Sequence, residues 1–316
     1  MKIVFLDAET LGQDVDFEEL EKLGTLIKYD NTSSKNVIER IKDADIAIVN
    51  KTVISAEIMQ VCGKLKLVCV AATGMNNIDL DFAAKSGISV KNVAGYSTDS
   101  VVQLTYAILF SLTMRISYFD NYVKSGEYSK SGIFTHYGHV FPELAGKQIG
   151  IIGMGAIGKK SAKAGEAFGA RIVYCSTSGK NNSVHYQRLE LDELLAGSDV
   201  VMIHAPLNEQ TRNLINADKL KLMKCSAFLI NTGRGHIVNE KDLAEAIDSG
   251  KIAGAALDVF STEPLPENNP LLHVKCPEKL VLTPHIAWTG IEARKRLLKG
   301  IVENIKEHLM TGFAKF

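Results

Sequence analysis

At 316 residues the chain is long enough for two domains with full hydrophobic cores. Lys plus Arg and Asp plus Glu balance at 36 each, so no net field draws DNA, RNA or an anionic membrane surface, and the expected partner is a small molecule. The five cysteines (Cys62, Cys69, Cys175, Cys225, Cys276) are odd in number and form no C-x-x-C pair, which argues against a disulfide or zinc framework and for buried thiols in a reducing compartment, with no metal.

The opening run Met1-Lys2-Ile3-Val4-Phe5-Leu6-Asp7 reads as a strand, because it is too short for a signal-peptide core and an acid follows it. Strands are predicted at 2–6, 46–49, 67–71 and 88–91, with helices at 17–23, 37–42 and 79–85. Such alternation implies a parallel sheet covered on both faces. Residues 97–124 then read as one helix, apolar nearly all round at Val101, Val102, Leu104, Ile108, Leu109, Leu112, Ile116 and Phe119. A helix apolar on every side is buried on every side. It is either a core helix of one subunit or a helix shared between a domain hinge and a dimer interface. Its most apolar part contains Gln103, Thr105, Ser111 and Thr113 and falls short of a membrane span, so a soluble, cytoplasmic protein is expected.

From Ile149 the alternation resumes with strands at 149–152, 171–175, 199–204, 227–231, 253–257 and 280–282. Helices fit at 156–168, 189–195, 216–223 and 240–248, the last with Asn239 as N-cap and Gly250 just past its end. Six strands with crossover helices match a doubly wound dinucleotide domain. A final amphipathic helix at 290–310 is placed to return to the first domain, making that domain discontinuous.

The first of these strands runs into Gly153-Met154-Gly155-Ala156-Ile157-Gly158. In a Gly-x-Gly-x-x-Gly turn between strand and helix, the first glycine permits the turn and the second admits a pyrophosphate. The third packs the helix on the strand, with its N-terminus aimed at the phosphates. The second strand ends in Cys175-Ser176-Thr177-Ser178-Gly179-Lys180, where an NAD-specific domain usually carries an acid for the ribose hydroxyls. With no acid to repel a 2′-phosphate, hydroxyls at Ser176, Thr177 and Ser178 plus the Lys180 charge favour NADP over NAD. The lack of an arginine in this loop keeps that preference modest.

Three polar residues follow strands of this half: Arg234 after Asn231-Thr232-Gly233, Glu263 after Asp258-Val259-Phe260, and His285 after Thr283-Pro284. Ligands of open α/β sheets bind beyond the carboxyl ends of strands, so the three can converge on one crevice. The set suits hydride transfer to a 2-keto acid. Arginine binds carboxylate and keto oxygen with a planar fork, histidine hands over a proton, and a carboxylate beside the imidazole favours the acid form and fixes the ring.

Taken together these segments resemble the D-isomer-specific 2-hydroxyacid dehydrogenases, closest to the glycerate dehydrogenase/hydroxypyruvate reductase branch. The likeness also runs through Ala71-Ala72-Thr73-Gly74-Met75-Asn76-Asn77-Ile78-Asp79, Asn92-Val93-Ala94-Gly95-Tyr96, His204-Ala205-Pro206-Leu207 with Thr211, and Thr283-Pro284-His285-Ile286-Ala287-Trp288. The resemblance implies that Arg234, Glu263 and His285 are catalytic and that amides around Thr73, Gly74 and Met75 hold the substrate carboxylate. It places Trp288 at the substrate, Asp258 toward the nicotinamide, and Pro206, Thr211 and Thr232 along the cofactor groove. It further implies a homodimer and two doubly wound parallel-sheet domains that close over NAD(P). These are a smaller flavodoxin-like substrate domain (1–96 and 288–316) and a Rossmann domain (97–287, with a hinge and dimerisation helix at 97–124). The expected reaction is reduction of hydroxypyruvate or glyoxylate to D-glycerate or glycolate. Alternatives are a reductase of phenylpyruvate, pyruvate or a 3-phosphoglycerate-type substrate, and a non-catalytic dinucleotide sensor.

Overall fold

The computed structural model describes residues 1–182 and 185–313, so the last three residues of the expected substrate domain lie outside the described residues. The chain divides into two compact units, one formed by Met1–Ser97 with Thr289–Phe316 and the other by Thr98–Trp288.

In the first unit β1 (Lys2–Phe5), β2 (Thr25–Lys28), β3 (Ile46–Val49), β4 (Leu67–Val70) and β5 (Ser89–Asn92) form a parallel sheet in the order β2-β1-β3-β4-β5. β3 and β4 are buried at every position because helices cover both faces of the sheet. Their alternate side chains, with Val4 and Leu6, pack on Val37, Ile41, Met59 and Ala83 of the flanking helices. β2 is not expected from sequence, since an edge strand exposed at both ends carries no continuous apolar run. The helix Ile291–Phe313 returns to cover β4 and β5, so this unit is built from both ends of the chain.

In the second unit, where six strands are expected, seven form among the described residues. They are β6 (Gln148–Ile152), β7 (Arg171–Cys175), β8 (Gln187–Arg188), β9 (Val200–Ile203), β10 (Phe228–Asn231), β11 (Gly254–Leu257) and β12 (Leu280–Leu282). The additional strand, β8, is two exposed polar residues with no periodic signal. All pair in parallel in the order β12-β11-β10-β9-β6-β7-β8. Between β6 and β9 the winding reverses, and the carboxyl ends of these two strands flank the crevice in which doubly wound sheets bind ligands.

Residues 97–124 are not one helix. Thr98–Met114 and Ile116–Lys124 meet at 58° across Arg115, whose φ of 47° is left-handed. The first helix packs against the helix Ala156–Ala167 and strands β10 to β12, but it is not buried on every side, since Gln103, Ala107 and Ser111 leave one face exposed. Past Arg115 that cover ends, and Ile116, Tyr118 and Val123 are exposed, so the apolar character of this second stretch does not signify a core position. Among the described residues no single helix is long and apolar enough to cross a membrane.

Candidate active site

β6 delivers the chain into the glycine turn. Gly153 has a φ of 97°, and a Cβ there would lie 2.8 Å from the Ala205 nitrogen. At Gly158 a Cβ would lie 2.2 Å from the Gly153 carbonyl oxygen, so only glycine lets the helix Ala156–Ala167 rest on the turn. Gly155 differs: its backbone is extended, and a Cβ would meet nothing within 4 Å. That open space sits at the N-terminus of a 12-residue helix, next to exposed Ala156 and half-buried Ile157. Amides and dipole there suit an anion, and the missing side chain suits the close approach of a dinucleotide pyrophosphate.

Beyond β7 the Ser176 hydroxyl oxygen is buried and accepts the Asn181 N–H (3.4 Å), which closes the loop. Thr177 is half-buried, while Ser178 and Lys180 are exposed.

The end of β9 carries His204, which burial pushes down to about 4. Its Nε2 lies 2.9 Å from Ser161 Oγ and its Nδ1 3.4 Å from Thr232 Oγ1. Thr232 in turn meets Thr105 Oγ1 at 2.9 Å, so a neutral imidazole and three hydroxyls form one chain under the crevice. Thr211 is fully buried and donates to the Pro206 carbonyl (2.7 Å). It holds the turn that leaves Pro206 exposed and does not itself reach the groove.

At the end of β10 the fully buried Asn231 folds the next turn. Its Oδ1 accepts from Gly233 N–H and its Nδ2 donates to the Arg234 carbonyl, both at 3.0 Å. The Arg234 Nη1–H donates to the Gly233 carbonyl (2.8 Å), which sets the plane of the guanidinium. An Asn followed by Thr-Gly at a strand end is a turn signal, yet sequence alone assigns this asparagine no role.

Asp258, after β11, is fully buried and accepts from Thr283 Oγ1 (2.6 Å), Ile286 N–H (2.8 Å) and Ala287 N–H (2.8 Å). Burial pushes its carboxyl up, against these hydrogen bonds and the charge of His285. The resemblance places Asp258 toward the nicotinamide. In the structure three donors of the loop after β12 converge on its two oxygens, so its carboxylate also fastens that loop. Within the loop His285 has a left-handed φ of 55°. Its Nδ1–H donates to Glu263 Oε2 (2.7 Å), and Glu263 Oε1 accepts from Phe260 N–H (3.0 Å).

Glu263 and His285 are therefore bonded directly, at the ends of adjacent strands. Arg234 follows the next strand over. Trp288, half-buried, ends this unit. Thr73, Gly74 and Met75 belong to the first unit, where Asn92 Nδ2 donates to the Thr73 carbonyl (2.6 Å) and Met75 packs on that unit's core. Among the described residues no group of three or more His, Cys, Asp or Glu could hold a metal ion.

A doubly wound sheet with a glycine turn at its switch point defines a dinucleotide-binding fold, and the bonded Glu263–His285 pair beyond it fits a dinucleotide-dependent oxidoreductase. Residues 106–287 match the family profile described as D-isomer specific 2-hydroxyacid dehydrogenase, NAD binding domain. The chain is 39% identical to a hydroxypyruvate reductase of Blautia hydrogenotrophica, covering 98% of this chain and 97% of that one. It is 36% identical to a glycerate dehydrogenase of Methylorubrum extorquens, covering 96% and 95%. The structure of an NADPH-dependent glyoxylate/hydroxypyruvate reductase from Sinorhizobium meliloti, in complex with NADP and malonate, matches with a TM-score of 0.83. There the identity is 26%, and the match covers 98% of this chain and 94% of that one. The chain belongs to the D-isomer-specific 2-hydroxyacid dehydrogenase family and is an NAD(P)-dependent enzyme.

Proposed function

We propose that the chain reduces hydroxypyruvate or glyoxylate to D-glycerate or glycolate, with NADPH preferred to NADH. The carrying observation is the Glu263–His285 pair at 2.7 Å, standing beyond a sheet whose glycine turn is open for a dinucleotide. With Nδ1 committed to Glu263, the proton His285 gives to the keto oxygen leaves from Nε2. Glu263 fixes the ring and offsets its charge. Arg234 binds the substrate carboxylate and keto oxygen with the N–H groups that the Gly233 carbonyl does not use. When bound, the nicotinamide supplies the hydride.

Gly153, Gly155, Ala156, Ile157 and Gly158 hold the pyrophosphate, and Pro206 and Thr232 line the groove. In the first unit, the backbone of Thr73, Gly74 and Met75 is assigned to the substrate carboxylate. Trp288 is assigned to the rest of the substrate. Ser176, Thr177, Ser178 and Lys180 carry the NADPH preference, since no carboxylate stands among them to repel a 2′-phosphate.

The enzyme works as a homodimer. Phe134, Tyr137 and Val140 are 90%, 78% and 79% exposed, and Val140 lines an apolar cavity of about 680 Å³ together with Phe110, Met114, Phe141, Phe168 and Phe228. A patch of this kind supports burial against a second copy. Five free cysteines support a reducing, cytoplasmic setting. Steady-state reduction of hydroxypyruvate with NADPH and NADH side by side tests the reading. A higher kcat/KM with NADPH is expected. A preference for NADH would overturn the cofactor assignment, and no turnover of either keto acid would overturn the substrate.

A further inference from the structure

Glu240 has no part in the chemistry above, yet it holds the loop that carries Glu263. It opens the helix Glu240–Asp248, where an acid is ordinarily explained by the helix dipole. Its carboxylate has a second engagement: Oε1 accepts from Ser261 N–H (2.5 Å) and Oε2 from Asn269 Nδ2 (2.6 Å). Asn269 is buried, and its Oδ1 accepts from Leu271 N–H (3.0 Å), which fixes the direction of its amide. Ser261 directly follows Phe260, whose N–H aims Glu263 at 3.0 Å, and Glu263 in turn receives His285. The same stretch is pressed from the other side. At Gly235, next to Arg234, a Cβ would lie 1.9 Å from the Phe260 carbonyl carbon. The loop is thus pinned at residues 261 and 269 by one carboxylate, one residue from the amide that orients Glu263.

We infer that Glu240 is a positioning residue: by fastening Ser261 and Asn269 it sets Glu263 against His285 for proton transfer. This rests on the reading that the Glu263–His285 pair handles the proton. The test compares Glu240→Gln, Glu263→Gln and the double variant Glu240→Gln/Asn269→Asp by kcat, KM, the pH profile of kcat/KM, and thermal unfolding. In Glu240→Gln the Ser261 bond persists, while an amide faces the Asn269 amide and that bond is lost. Asn269→Asp supplies an acceptor in its place, restoring the contact with donor and acceptor exchanged and still accepting from Leu271 N–H.

Glu240→Gln is expected to lower kcat about tenfold with KM changed by less than about twofold. Its pH profile moves in the direction that Glu263→Gln moves it, and the double variant returns both toward wild type. Unchanged kcat and pH profile in Glu240→Gln, while Glu263→Gln shifts the profile, would overturn the inference. So would a fall in kcat with a fixed profile and no rescue, which marks a merely structural role. If Glu263→Gln itself leaves the profile unmoved, the underlying reading fails, and the inference with it.

Discussion

Gly155→Ala separates binding from folding at the glycine turn. The backbone there is extended (φ −79°, ψ −160°), which any L-residue adopts, and the added methyl has no neighbour within 4 Å. Alanine restricts the unfolded chain more than glycine, worth about 0.4–1 kcal/mol, and is the poorer N-cap by a comparable amount. These terms oppose, so stability should change by no more than about 0.5 kcal/mol, or roughly 1–2 °C in Tm. The methyl nevertheless fills the space assigned to the pyrophosphate. Losing one hydrogen bond to a charged group costs about 1.5–3 kcal/mol, which makes Kd for NADPH weaker by roughly tenfold to 150-fold. Gly158→Ala is the contrast, since its methyl would collide with the Gly153 carbonyl at 2.2 Å and should destabilise the fold itself. Thermal unfolding and fluorescence titration with NADPH read both quantities. A Gly155→Ala protein that melts normally and binds NADPH like wild type would refute the reasoning.

Further predictions concern other groups of the same unit. His204 is pushed down from 6.5 to about 4, so below pH ~6.5 the unfolded chain takes up a proton that the folded one refuses. Stability should therefore fall as pH drops from about 6.5 toward 4, by up to roughly 3 kcal/mol from this group; melts of wild type and His204→Asn at both ends of that window should show the variant losing less. Asp258→Asn leaves a donor facing a donor in the loop after β12. It should cost about 1–3 kcal/mol of stability and lower kcat with it, which thermal melts and initial rates check. Phe134→Asp with Val140→Asp should convert a dimer to monomers in sedimentation, and an unchanged dimer would move the interface elsewhere on the chain.

What the sequence makes legible here is local. The turn at Gly153 to Gly158 follows from glycine stereochemistry and the apolar strand before it. The Asn239 cap follows from side-chain reach, and its Oδ1 does accept from Asp242 N–H at 3.1 Å. Arg234, Glu263 and His285 could be singled out because strand ends are where such sheets place ligands. Edge strands β2 and β8 are not legible, because half-exposed strands need no apolar run. The break at Arg115 carries no glycine or proline to announce it. The loop-fastening bonds of Asp258 could not be read, because their donors lie 25 to 29 residues away and meet it only in the folded sheet. Glu240 was hidden for a related reason: an acid in the first turn of a helix already has a sufficient local explanation.

The proton role of His285 is the central claim, and His285→Ala tests it most directly. The measurement is kcat/KM for hydroxypyruvate reduction, with Kd for NADPH determined on the same preparation. The account predicts turnover lower by about 10² to 10⁴, with cofactor binding unchanged. Turnover close to wild type would contradict it.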